Sequence, residues 1–83
     1  MRARLLYNER KHQTLAYFSR RGWTRPQQWS ADAGLFPVRG GNTYLLRLHR
    51  WGLLARGYDF RGRVVYRLSP RGARWLLRRE RGE

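Results

Sequence analysis

Residues 45–70 read LLRLHRWGLLARGYDFRGRVVYRLSP, and a change of period inside this stretch decides the fold. Up to Trp51 the apolar positions keep helical spacing. Drawn at about 100° per residue, Tyr44, Leu45, Leu48, Trp51 and Gly52 gather on one side, the expected core side. Gly52 stops that helix. Beyond it, residues 53–58 and 63–68 read as two strands. In the second, Val64, Tyr66 and Leu68 alternate onto one face and Arg63, Val65 and Arg67 onto the other. Asp59-Phe60-Arg61-Gly62 joins the strands as a hairpin loop with glycine at its end. Ser69-Pro70 then supplies a cap and a first-turn proline, whose missing N–H is not needed there. The last helix runs from residue 70 to about 79 and is expected to bury Ala73, Leu76 and Leu77.

Working back toward the N-terminus, residues 3–21 hold no proline or glycine, and Leu5, Asn8, His12, Leu15 and Phe18 fall near helical spacing. Arg20 and Arg21 suit the negative end of that helix, and Gly22 terminates it. Thr24-Arg25-Pro26 is a sharp restart, with Thr24 as cap of a short helix over residues 25–33 that turns Trp29 and Ala33 to one face. Gly34 ends it, and Leu35-Phe36-Pro37-Val38 is an apolar turn into the helix of residues 39–51. Gly40 and Gly41 soften its start, since each glycine costs about 1 kcal/mol relative to alanine in a helix interior. They allow instead an N-terminal loop whose bare amides approach a phosphate. The order is helix, helix, helix, strand, strand, helix: mainly α with a small β-hairpin. One domain spans residues 1–83, with its core at about 13–79.

Composition narrows the function classes. Hydrophobic residues are 41% and aromatics 14% of the 83 residues, enough for a core and too many for a disordered basic tail. There is no run of about 18 apolar residues, no secretory leader pattern and no cysteine, so a cytoplasmic, nucleoid-associated setting is expected. The five carboxylates, Glu9, Asp32, Asp59, Glu80 and Glu83, form no acid–base pair. His12 and His49 stand apart, and Ser69 is better used as a cap than as a nucleophile. No catalytic activity, metal or cofactor is therefore expected.

The charge points to a partner. Nineteen basic residues against five acidic ones give a net charge of +14, and Lys11 is the one lysine among the nineteen. Self-repulsion of that size calls for a polyanion. Arginine forks suit phosphates and guanine edges, although codon bias in a GC-rich genome would also favour arginine.

On the helix of residues 39–51, Arg39, Thr43, Leu46, Arg47 and Arg50 lie opposite the apolar side, with Asn42 and His49 at the edge. That face suits a major groove about 12 Å wide. Arg39, Asn42, Thr43 and Arg47 are the expected base readers, and Arg50 a phosphate contact. Arg61 and Arg63 on the hairpin face the adjacent minor groove or backbone. Arg25 and Gln28, with Gln27, sit where the second helix meets a phosphate. The same residues would also serve as a solvated surface. Trp23, Trp29 and Trp51 are expected in the core. Trp75 with Leu5, Leu6 and Tyr7 forms a patch suited to a dimer interface. Exposure of Trp23 or Trp75 beside arginines would instead favour RNA binding, with the rings stacked on single-stranded bases.

The segment from Leu45 through Trp51-Gly52-Leu53-Leu54 to Arg56 resembles the recognition helix and first wing strand of winged-helix transcription regulators of the multiple-antibiotic-resistance and PadR-like groups. Gly62-Arg63-Val64-Val65-Tyr66-Arg67-Leu68-Ser69-Pro70-Arg71-Gly72 is similar to their second wing strand and Leu-Thr-Pro-x-Gly helix start. The resemblance covers about residues 13–79. It implies a winged helix-turn-helix fold, Leu48 and Leu53 in the core, and Tyr66 and Leu68 anchoring the wing. It further implies duplex DNA as partner and a role in transcription regulation, and the Trp75 patch puts the expected homodimer contact on the terminal helices. The chain departs from the pattern at Phe36-Pro37-Val38-Arg39-Gly40-Gly41, where those regulators carry small polar residues. The alternative is a winged-helix protein-interaction module, or a non-specific nucleoid- or RNA-binding module.

Overall fold

Among the described residues six elements follow one another: α1 (Arg2–Arg21), α2 (Pro26–Ala33), α3 (Val38–Arg50), β1 (Leu54–Tyr58), β2 (Val64–Leu68) and α4 (Pro70–Glu80). The computed structural model describes residues 2–33 and 38–82, with side chains described for 9–33 and 42–82. The described residues are thus mainly helical, with one two-stranded antiparallel hairpin. No helix among the described residues is long and apolar enough to cross a membrane.

One core draws on every element. Leu15 and Phe18 of α1, Trp29 of α2, Leu45 and Leu48 of α3, Leu54 of β1, Tyr66 of β2 and Leu76 of α4 are buried together. Burying each leucine contributes about 1.5–3 kcal/mol. Trp29 stacks on Tyr44 with ring centroids 6.1 Å apart and planes 17° from parallel, which fastens α2 to α3. α1 packs against α4, and Glu9 and Arg79 meet across that contact at 3.6 Å.

The hairpin pairs Leu54 with Leu68, Arg56 with Tyr66 and Tyr58 with Val64. A hairpin alone is marginal in water, and here a third segment supports it. Thr24 exchanges both backbone hydrogen bonds with Tyr66, at 2.8 and 2.9 Å. Thr24 therefore does not cap α2 as the sequence suggests. Its backbone joins the sheet edge and its hydroxyl donates to Gly22 O at 3.1 Å. Gly22, at φ 73°, makes the left-handed turn that brings Thr24 there.

Other expectations change as well. Trp51 lies beyond the last residue of α3 and is 42% exposed. The helix stops one residue early, and Gly52 at φ 80° redirects the chain before the indole reaches the core. In α4, Gly72 and Leu76 are buried and Trp75 packs on the core, whereas Ala73 is exposed and Leu77 is 52% exposed. The buried face is rotated from the expected one because Gly72 meets the hairpin entry. A Cβ there would lie 2.1 Å from Leu53 O. Ser69 is the cap the sequence indicates: its Oγ accepts from Gly72 N at 2.9 Å and donates to Gly52 O. Gly40 and Gly41 belong to α3, so the loop alternative is not taken. The turn at residues 34–37 lies outside the described residues.

Candidate nucleic-acid interface

α3 separates its two faces cleanly. Tyr44, Leu45 and Leu48 are buried, while Asn42, Thr43, Arg47 and Arg50 are exposed on the opposite side and Leu46 is half-buried between them. Positions 39, 43, 46, 47 and 50 share one side through their i, i+3, i+4 and i+7 spacings. Arg39 is in the first turn of α3, but its side chain lies outside the described residues. No acidic residue occurs between Asp32 and Asp59, so the outward face of α3 carries cations and amides without compensating carboxylates. His49 is half-buried rather than turned to a ligand. Its Nδ1 lies 3.0 Å from Leu54 O and its ring meets Tyr66 edge-on, so it fixes α3 to the hairpin.

The hairpin tip is organised by Asp59. Its Oδ1 accepts from the backbone N–H of Arg61 and of Arg63, both at 2.9 Å, and its Oδ2 meets Arg63 Nε at 3.0 Å. These donors, led by the Arg63 amide, hold the Asp59 carboxyl below the usual carboxylate range. Arg63 thus shapes the loop, while Arg61 is exposed, its guanidinium 5.5 Å from the Phe60 ring centroid. Of the two expected hairpin contacts, Arg61 is presented outward and Arg63 is tied down.

At the start of α2, Arg25 Nη2 donates to Gln27 Oε1 at 2.8 Å. Gln28 Nε2 donates to Asp32 Oδ1 at 3.0 Å, Tyr17 OH donates to Asp32 Oδ2 at 2.8 Å, and Arg21 lies 3.4 Å from the same oxygen. The Gln28 amide and the Tyr17 hydroxyl hold Asp32 below its ordinary value. Burial, with Asp32 beside it, pushes the Tyr17 phenol up to about 12. Gln28 is therefore engaged within α2. Arg21, Trp23, Thr24, Arg25, Gln27 and Gln28 line a shallow groove of about 500 Å³ here.

The sequence reading missed a set of aromatic–arginine pairs. Trp23, expected in the core, is 48% exposed and lies across the outer face of the hairpin, where Arg67 reaches 4.8 Å from its ring centroid. This also accounts for burial of Val65, which the strand alternation assigns to the polar face. Arg56 is 5.7 Å from the Tyr58 ring, and Tyr58 is 65% exposed. Phe60, at the tip, is 91% exposed. Its place in a predicted loop was the available signal, because a tip residue has no core to reach. Behind α3, Lys11 sits 5.2 Å from the Trp51 ring and 5.3 Å from the Trp75 ring, and burial lowers its ammonium pKa. Arg71, Arg74 and Arg78 line the same groove of about 430 Å³. Leu5, Leu6 and Tyr7, the other members of the expected Trp75 patch, have side chains outside the described residues. Compared with protein-family models, with characterised proteins and with solved structures, the chain matches none.

Proposed function

We propose that this chain is a winged-helix protein that binds duplex DNA and regulates transcription. In this reading α3 enters the major groove, with Asn42, Thr43 and Arg47, together with Arg39, toward base edges and Arg50 on the backbone. The hairpin acts as the wing, and Arg61 meets the neighbouring backbone or minor groove. Arg25 remains a candidate phosphate contact, while Arg63 and Gln28 position their own loops. The observation that carries the reading is the outward face of α3. A helix anchored by Tyr44, Leu45 and Leu48 leaves Asn42, Thr43, Arg47 and Arg50 exposed. Ala73 and Leu77, exposed one turn apart on α4, support a homodimer through the terminal helices.

The test is selection from a pool of random duplexes, followed by titration of the winner and a scrambled control over a range of salt. The selected site should bind about 10³-fold tighter or more. A ratio below about tenfold refutes sequence-specific regulation. Arg47→Ala should relax preference at one base position, whereas Arg61→Ala should weaken all duplexes alike and flatten the salt dependence. Equal losses for both on every sequence would contradict the division between reading and anchoring.

A further inference from the structure

A slot of about 550 Å³ opens on the outer face of the hairpin between Trp23 and Phe60. Arg25, Gly57, Tyr58, Asp59 and Val65 line it as well. Gly57 is what lets the indole lie so low. A Cβ at that position would come within 3.0 Å of Trp23 Cη2 and 3.1 Å of Cζ3, so the ring rests on bare backbone. Each aromatic ring of the lining carries a guanidinium, Arg67 by Trp23, Arg61 by Phe60 and Arg56 by Tyr58. The one acid lining the slot, Asp59, has its carboxylate occupied by the Arg61 and Arg63 amides and the Arg63 side chain. Negative charge arriving here therefore meets arginines rather than an open carboxylate.

A ligand for this slot must combine flat π-faces with regularly spaced anions. A second copy of the chain docked by this face brings the rings but would set its own Arg25, Arg61 and Arg67 against the same three arginines. A polynucleotide strand brings both features. In a duplex its bases are stacked away, so the rings it offers are unpaired ones. We infer that the slot between Trp23 and Phe60 takes an unpaired base of a DNA strand, with the flanking phosphates on Arg25 and Arg67. The choice of DNA rests on the duplex reading of α3: the unpaired stretch is the continuation of a strand whose duplex part α3 holds. The protein is then a reader of duplex-to-single-strand junctions, a role that contact between α3 and the major groove does not itself require.

Fluorescence anisotropy with three labelled probes tests this: a blunt duplex, the same duplex with an overhang of unpaired thymidines, and the duplex with that overhang made of ribonucleotides. Wild type should prefer the deoxy overhang to the blunt duplex. Phe60→Ala should erase that preference while leaving blunt-duplex affinity unchanged. Stacking of one base corresponds to a loss of roughly 5- to 150-fold. Phe60 is so exposed that its removal spares the fold. Trp23→Leu, checked for an unchanged melting transition, should act in the same direction, and the indole quenching caused by the overhang should vanish with it. The inference is overturned if wild type shows no overhang preference, if Phe60→Ala keeps it, or if the ribonucleotide overhang binds better. It is also overturned if anionic lipid vesicles, rather than the overhang, draw the Phe60-dependent binding. Tight blunt-duplex binding without overhang preference would leave the α3 reading standing and remove the slot. Phe60-dependent overhang binding without blunt-duplex affinity would remove the α3 reading and support the slot.

Discussion

Replacing Gly72 with alanine sets helix propensity against packing. Gly72 is in the first turn of α4, where alanine should stabilise by up to about 1 kcal/mol through propensity and a less free unfolded chain. Its Cβ, however, would lie 2.1 Å from Leu53 O and 2.9 Å from Leu68 Cδ1. The first of these is backbone and cannot swing aside, so α4 must move off the hairpin by on the order of 1 Å to reach ordinary contact. Overpacking of this kind costs about 1–3 kcal/mol. The shift also stretches the bonds from Ser69 to Leu53 O and Gly52 O, each worth roughly 0.5–1.5 kcal/mol. The net expectation is a loss of about 3 kcal/mol, or a melting temperature lower by about 12–24 °C for a domain of this size. Thermal and urea unfolding followed by far-ultraviolet circular dichroism measures it. Ala73→Gly, at the exposed neighbouring position, is the control and should lose only about 1 kcal/mol. A Gly72→Ala protein as stable as wild type, or no worse than the control, refutes the close approach.

Asp59 has its folded pKa depressed, so the order it gives the hairpin tip is full above the unfolded value near pH ~3.9 and fades as pH falls through the folded value. Amide resonances of Arg61 and Arg63 should follow that acid transition, and in Asp59→Asn they should not. Tyr17 behaves in the opposite sense. Its phenol stays protonated in the folded state up to about 12 but ionises near pH ~10 when unfolded, so stability falls as pH rises through this window. Alkaline absorbance titration should show late-titrating phenol absorbance, part of which Tyr17→Phe removes while the buried Tyr66 keeps the rest. Lys11→Gln should lower stability by roughly 0.5–1 kcal/mol and shift indole emission, because the ammonium between Trp51 and Trp75 is lost.

The order of elements was legible because each boundary has a local chemical cause. The periods of 3.6 and 2 meet at Gly52, and Ser69-Pro70 announces α4. The positions that escaped depend on contacts between segments distant in sequence. Trp51 obeys the helical wheel of α3 only while the helix continues, and the Gly52 turn ends that rule one residue too soon. Ala73 and Leu77 form as good an apolar stripe as Trp75 and Leu76. What selects between them is Gly72 touching Leu53 O, a contact made by a missing side chain and so absent from any hydropathy pattern. Trp23 is read as core from its size, whereas its site was prepared by Gly57, 34 positions later. For the candidate interface, the exposed face of α3 follows from spacing alone. The Asp59–Arg63 pairing does not, because it depends on how the hairpin turn closes, whereas Gln28–Asp32 is an i, i+4 pair that the spacing of α2 allows.

The Ser69 hydroxyl adds a side-chain link between the end of α3 and the start of α4. It accepts a hydrogen bond from the Gly72 amide in the first turn of α4 and donates one to the carbonyl of Gly52, where the chain leaves α3. Leu53 O, one residue on, takes the Ser69 amide. The tail of α3 and the head of α4 are thus pinned at a single point, like two struts meeting at one bolt. Any load placed on α3 by a bound partner is carried straight into α4 and, through its packing on α1, to the far side of the molecule. In Ser69→Ala the hydroxyl bonds are lost and the joint is held by the residue 69 amide on Leu53 O and the packing of Gly72, so it should loosen while each helix remains intact.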